Sequence, residues 1–99
     1  MSKLIVMINY NVFETHGFSQ QIIQLTKSSS SLIRKKLNEY VYPQLRSNPY
    51  FGPNIQKLKD WNPPTWRYRI GDWRFFYQLS EPEKHVYMVA VYHRREAYR

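Results

Sequence analysis

The 99-residue chain contains no cysteine and only seven acidic residues. Without cysteine the protein has no disulfide bonds and no thiolate metal site, and a cytoplasmic location fits this composition. The three histidines are not spaced as a pair of metal ligands. We therefore expect neither a metal ion nor another cofactor.

Long hydrophobic runs are also missing. The first apolar run, residues 4–8, is far too short to cross a bilayer, and it lacks the small-residue cleavage pattern of a signal peptide. No membrane partner is expected. The chain has no internal repeat and no domain boundary, so residues 1–99 are predicted to form one domain with a modest core.

Positive charge and aromatic side chains are abundant instead. Fifteen lysines and arginines give a formal charge of +8, and aromatic residues make up 17% of the chain. The charge favours nucleic acid, an acidic protein or an anionic surface as the partner. Aromatic rings suit both a small core and a surface that stacks on bases.

The most informative stretch is residues 66–79, in which arginine alternates with large apolar residues around Gly71-Asp72. Two alternating runs on either side of a Gly-Asp pair are typical of a tight β-hairpin. The turn places Arg69 opposite Arg74 and Arg67 opposite Phe76. One face of the hairpin is then apolar enough to join a core: Trp66, Tyr68, Ile70, Trp73, Phe75 and Tyr77.

The other face, here called the arginine face, carries Arg67, Arg69 and Arg74 beside Phe76. Like charges opposite each other on a sheet are unfavourable by a few tenths to about 1 kcal/mol. Two interpretations follow. The face is either a solvated surface whose long side chains spread into water, or a binding site for RNA or DNA phosphates with Phe76 available for stacking.

The rest of the chain supplies helices and further strands. A first strand is expected within residues 4–14, and Thr15 can cap a short helix. The Ser28–Ser31 run separates it from a second helix, which Pro43 should kink or end. Residues 86–92 form an apolar strand. The predicted fold is α+β, in the order β-α-α-β-β-β, with two N-terminal helices packed on one face of a small, largely antiparallel sheet.

Four motifs resemble the RelE/ParE toxin superfamily of bacterial and archaeal toxin–antitoxin systems. They are Asn48-Pro49-Tyr50, Lys57-Leu58-Lys59, Tyr68 to Arg74 (YRIGDWR), and His93 to Tyr98 (HRREAY). The hairpin motif and the C-terminal motif lie about twenty residues apart and are specific only in combination. The superfamily fold, helices on one face of a small antiparallel sheet, is the same as the one the patterns predict.

The resemblance implies a toxin that cuts messenger RNA in the ribosomal A site. In such enzymes a 2′-hydroxyl attacks the adjacent phosphodiester and leaves a 2′,3′-cyclic phosphate, and no metal takes part. A cognate antitoxin wraps the toxin, and on charge grounds it should offer an acidic or amphipathic segment. Operator DNA would be a partner only through the toxin–antitoxin complex.

The resemblance also implies roles for individual residues. Arg69 and Arg74 would clamp the scissile phosphate, while Arg67 and Arg94 would hold that phosphate or its neighbours. His93 would transfer protons, and Tyr98 would stack on a base or assist the transfer. The remaining expected RNA contacts are Phe76, Lys57 and Lys59.

The chain departs from some members in carrying arginine, not lysine, at positions 67 and 69. Arginine stays protonated and cannot serve as a base, so the base would be His93, or else Glu96 or Glu81. Simpler interpretations remain for each residue. His93 could be an exposed residue at a strand end, Glu96 an ion-pair partner, and Tyr98 a cover for the core.

A second activity is compatible with the same motifs. ParE-type relatives share the fold but bind DNA gyrase and are not nucleases. They generally lack the full set of arginines, histidine and tyrosine found here, which favours the endoribonuclease. A small RNA-binding module without catalysis is a third possibility.

Overall fold

The computed structural model describes residues 9–97, with five strands and four helices in that range. The N-terminal half contains β1 (Asn11–Glu14), α1 (His16–Ile23), α2 (Lys27–Lys36), a π-helical turn (Leu37–Val41) and α3 (Tyr42–Ser47). The C-terminal half contains β2 (Ile55–Lys57), β3 (Trp66–Ile70), β4 (Trp73–Ser80), β5 (His85–His93) and the short helix α4 (Arg94–Ala97).

The five strands form one sheet in the order β1-β5-β4-β3-β2. The β1–β5 pair is parallel and the other pairs are antiparallel, so the predicted α+β fold with a largely antiparallel sheet is confirmed. The expected order lacked β2, which is only three residues long and pairs at the sheet edge. The expected first strand is seen at residues 11–14, and its possible beginning at residues 4–8 lies outside the described chain.

The β3–β4 hairpin has the predicted register. Arg69 pairs with Arg74, Arg67 with Phe76, and Trp66 with Tyr77. Gly71 holds the first central position of the turn with a φ of +57°. This left-handed conformation is easy for glycine, and it matches the turn to the twist of the strands.

The helices cover the apolar face of the sheet, as the alternation predicts. α1 contributes Phe18 and Ile22, because residues four apart lie on one side of a helix. These side chains are buried against the sheet together with residues from α2, the π-helical turn and α3. The other core residues include Ile33, Leu37, Val41, Leu45, Tyr68, Phe75, Tyr77, Val86, Met88 and Val91.

One detail of the helices differs from expectation. The Ser28–Ser31 run lies inside α2, because the hydroxyl of Thr26 caps the helix by accepting a hydrogen bond from the Ser29 amide at 3.2 Å. Pro43, which was expected to kink or end the helix, lies in a helical stretch that continues to Ser47. The π-helical turn directly before Pro43 accommodates the missing amide, since the Tyr42 amide bonds to the Leu37 carbonyl five residues back.

Among residues 9–97, no helix is long and apolar enough to cross a membrane.

Candidate functional site

The arginine face lies on the side of the sheet that the helices leave uncovered. Because directly paired residues share a face, the β3–β4 register brings Arg67, Arg69 and Arg74 together there. β5 adds Tyr92, which pairs with Arg74. The expected grouping of these three arginines is therefore present in the structure.

The three arginines differ in exposure. Arg74 is only 5% exposed, and its Nη1 donates to the carbonyl oxygens of Gly71 at 3.1 Å and Trp73 at 3.2 Å. The idea that all three side chains spread into water is thus wrong for Arg74. Arg69 is exposed and Arg67 is half-buried. Neither makes an ion pair with a carboxylate in the part of the chain that the structure describes.

The Nε atom of Arg67 is buried and has no hydrogen-bond partner among the described residues. A buried donor left without an acceptor costs about 1–3 kcal/mol. This cost adds to the repulsion between Arg69 and Arg74. The placement of the arginines is therefore not explained by stability of the free protein.

Phe76 is not the open stacking surface that the sequence suggested. It is 7% exposed, because the rings of Trp61 and Tyr92 each lie with their centroids 5.4 Å from its own. Trp61 comes from the loop between β2 and β3 and is 49% exposed. Trp61 was not among the residues predicted from the sequence to form this surface, although a tryptophan in a proline-rich stretch was an available signal.

Arg94 lies at the hairpin end of the sheet, near Arg69 and Arg74. Its backbone amide donates to the Asp72 carbonyl at 2.6 Å, and its Nη1 lies 3.8 Å from the Asp72 carboxylate. Both side chains of this ion pair are well exposed. The turn of the hairpin thus holds Arg94 at the end of the sheet where Arg69 and Arg74 lie.

His93 is not grouped with the arginines. It pairs with Trp73 on the helix-covered face, and the two rings meet edge to face at 5.0 Å. The reason is a β-bulge in β5, where Phe76 pairs with Ala90 but Tyr77 pairs with Met88. The extra residue reverses the alternation of side chains, so His93 turns away from the face that an unbroken strand would give it.

Of the two expected lysine contacts, Lys57 is also separated from the arginines. Lys57 pairs with Trp66, so it lies on the helix side of the sheet, and its Nζ is 5.3 Å from the Trp66 ring. Lys59 is exposed in the loop that follows β2. Tyr98 and the side chain of Glu96 lie outside the described part of the chain.

Glu81 is not placed to act as the base. It lies in the turn between β4 and β5, at the other end of β4 from the hairpin turn. Lys84, Tyr50 and Tyr10 donate hydrogen bonds to its carboxylate. The hydrogen bond from Lys84, followed by that from Tyr50, lowers the pKa of Glu81 to about 2, which makes it a weak proton acceptor.

His85 contacts two aromatic residues in the structure. Its Nδ1 lies 2.8 Å from the Tyr87 hydroxyl, and its ring packs against Phe13 at 4.6 Å. This cluster lies toward the far end of the arginine face. Among residues 9–97, no group of three or more His, Asp and Glu side chains is placed to hold a metal ion.

The arrangement provides fixed positive charge on an open sheet surface. Arginine offers paired, permanently charged donors that match the oxygens of a phosphate. Aromatic rings from Trp61, Phe76 and Tyr92 border this charge. The site is suited to binding a phosphate chain and to stabilising negative charge that develops on it.

Comparison with known proteins identifies relatives of the chain. A sequence model of the ParE toxins of type II toxin–antitoxin systems, parDE, matches residues 22–98. No curated protein sequence matches the chain significantly.

Two solved structures have the same fold. A chain of the RelBE2 toxin–antitoxin complex from Mycobacterium tuberculosis superposes with a TM-score of 0.68 at 16% identity, covering 88% of this chain and all of its own length. The archaeal RelE–RelB complex from Pyrococcus horikoshii gives a TM-score of 0.55 at 20% identity, covering 90% of this chain and 99% of the matched one. The family match spans more than half of the sequence, and the fold agrees with it. The chain therefore belongs to the ParE toxin family of type II toxin–antitoxin systems, within the RelE/ParE toxin superfamily.

Proposed function

We propose that this toxin is a metal-independent endoribonuclease that cleaves messenger RNA in the ribosomal A site. The observation that carries the proposal is the pairing of Arg69 with Arg74, beside Arg67 and Arg94, on a surface that the helices leave uncovered. Such a concentration of fixed cations is costly in a free protein and useful against a polyanion.

The arginines would act on the transition state. When the 2′-hydroxyl oxygen attacks the adjacent phosphorus, the phosphorane gains negative charge before the 5′-oxygen leaves. Arg69 and Arg74 would bind the phosphate oxygens, and Arg67 and Arg94 would bind the same or a neighbouring phosphate. Because the Arg74 guanidinium is already held by two carbonyl groups, little reorganisation is needed when the charge develops.

Proton transfer belongs to the C-terminal motif in this proposal. Of its three candidates, His93, Glu96 and Tyr98, His93 lies on the Trp73 side of the sheet. We therefore give Tyr98 the larger part in transferring a proton or stacking on a base. A phenol can donate and accept a hydrogen bond, which suits either role.

A cognate antitoxin is the proposed protein partner. Both structural relatives come from toxin–antitoxin complexes. A formal charge of +8 favours an acidic or amphipathic antitoxin segment, and such a segment would compete with RNA by covering the arginine face. Contact with operator DNA would occur only in the toxin–antitoxin complex.

Primer extension on a message translated in a reconstituted system tests the nuclease proposal. The unchanged protein should create new ends inside codons only when ribosomes are present. Arg69→Ala should lower cleavage by about 10²-fold, the usual cost of removing one donor to a charged transition state. Lys35→Ala removes one exposed charge from α2 and should cleave normally. Intact message with the unchanged protein would refute the proposal.

Inhibition of DNA gyrase is the second candidate function, and the match to the ParE toxin model favours it. A supercoiling assay with purified gyrase separates the two. A gyrase inhibitor should block supercoiling while leaving translated message intact. An endoribonuclease should leave supercoiling unchanged.

A further inference from the structure

The loop between β2 and β3 is anchored at its base and reaches onto the arginine face. The Leu58 amide donates to the Thr65 carbonyl at 2.8 Å, which joins the two ends of the loop. The buried Thr65 hydroxyl accepts a hydrogen bond from Gln78 of β4 at 3.3 Å. These bonds connect the loop to the central part of the sheet and hold both ends of the segment that carries Trp61.

Trp61 packs edge to face with Phe76 and remains partly exposed. The two rings meet at an angle of 87° with centroids 5.4 Å apart, and Trp61 remains 49% exposed. Phe76 is the cross-strand partner of Arg67 and lies two residues from Arg74. Through its contact with Phe76, the indole is placed at the part of the sheet that carries Arg67 and Arg74.

We propose that Trp61 stacks on an unpaired RNA base whose neighbouring phosphate is bound by the arginine face. This inference rests on the proposed function and adds a base-binding position to it. Stacking needs a base that is free of a duplex, which single-stranded RNA offers. The adjacent guanidinium groups supply the charge complementarity that a nucleotide requires and that an apolar protein segment does not.

Trp61 fulfils the role that the sequence had suggested for Phe76. The phenylalanine is too buried to meet a base, whereas the tryptophan presents a larger ring at the surface. A base held there would fix the position of the RNA chain relative to Arg67 and Arg74. Trp61 would thus be a positioning residue for cleavage.

Fluorescence anisotropy with a labelled single-stranded RNA tests the proposal. The RNA carries 2′-O-methyl groups throughout, so it cannot be cleaved and binding is measured apart from catalysis. Trp61→Leu keeps an apolar cover on Phe76 but removes the aromatic face, whereas Trp61→Phe keeps an aromatic ring. Phe51→Ala is the matched control, because Phe51 is a 76% exposed aromatic residue in a different loop.

Trp61→Leu should weaken binding by about tenfold, while Trp61→Phe and Phe51→Ala should bind within about twofold of the unchanged protein. Circular dichroism and thermal unfolding confirm that each variant is folded. Equal binding by Trp61→Leu and the unchanged protein would overturn the inference, even if ribosomal cleavage is observed. Failure of the unchanged protein to bind the RNA at low salt would overturn it too. If RNA binding depends on Trp61 but the ribosomal assay shows no cleavage, the result would support the inference and contradict the nuclease proposal.

Discussion

Arg69 and Arg74 lie directly opposite each other on β3 and β4, one exposed and the other almost fully buried. The buried guanidinium is held by two carbonyl oxygens near the hairpin turn. The exposed one is held by no carboxylate of the described chain. Substitution of Arg69 can therefore show whether this side chain contributes to ligand binding or to the stability of the fold.

Replacing Arg69 with threonine should leave the protein as stable as before or raise its free energy of unfolding by up to about 1 kcal/mol. The change removes a like-charge pair and introduces a residue that favours strands. RNA cleavage should fall sharply at the same time. Urea unfolding measures the change in stability, and the ribosomal cleavage assay on the same preparation measures the change in activity. A loss of stability above about 1 kcal/mol would show that Arg69 supports the fold.

Tyr77→Phe should lower the free energy of unfolding by about 1–3 kcal/mol. The Tyr77 side chain is fully buried, and its hydroxyl donates to the Pro49 carbonyl at 2.7 Å. Burial raises the pKa of this phenol, so the hydroxyl keeps its proton at neutral pH. Removing the hydroxyl leaves a carbonyl without its donor. Tyr40→Phe, at an exposed position, is the control and should change stability little.

Glu14→Gln should destabilise the protein by about 1–2 kcal/mol at neutral pH. The Glu14 carboxylate accepts hydrogen bonds from Arg34 at 2.5 and 3.0 Å and another from Tyr42, tying β1 to the helices. Partial burial alone would raise the pKa of Glu14, but these hydrogen bonds outweigh it and hold the pKa below its ordinary value of 4.5.

The lowered pKa of Glu14 determines whether the stability of the protein rises or falls in acid. Its contribution to stability is complete above pH 4.5 and is lost as the pH falls through the lower pKa of the folded protein. Unfolding curves recorded from neutral to acid pH should therefore converge for the unchanged protein and Glu14→Gln. A difference in free energy of unfolding between the two proteins that stays constant at every pH would contradict this account of the ion pair.

His93→Gln should reduce ribosomal cleavage by less than about tenfold. A general base or acid contributes about 10²–10⁴-fold, and the His93 ring lies against Trp73 on the opposite face from Arg74. The pH dependence of cleavage should keep its shape in the variant. A drop above 10²-fold together with a changed pH profile would restore His93 as the proton-transfer residue.

The local parts of this fold could be predicted from the sequence. Alternation around Gly71-Asp72 determined both faces of the hairpin, because a two-residue turn leaves one register. The position of Thr15 as a helix cap was equally local. Such features depend on a few neighbouring residues, and short-range geometry is sufficient to derive them.

The features that the sequence did not reveal depend on contacts between distant segments. A bulge near Val89 reversed the face of His93, and nothing in the run of apolar residues 86–92 marks an extra residue. Phe76 became buried because Trp61 folded over it from another loop. Both differences concern the candidate site, where the arginines were placed correctly and their neighbours were not.

The parallel pairing of β1 with β5 has a consequence for synthesis of the toxin. Asn11 in β1 pairs with His85 in β5, and β5 also supplies Tyr92, which pairs with Arg74. The first strand and the completed arginine face therefore both depend on β5, which is distant from β1 in the sequence. Closing so long a loop is entropically costly and slows folding. A nascent chain therefore cannot complete its sheet or its arginine face before β5 has been synthesised.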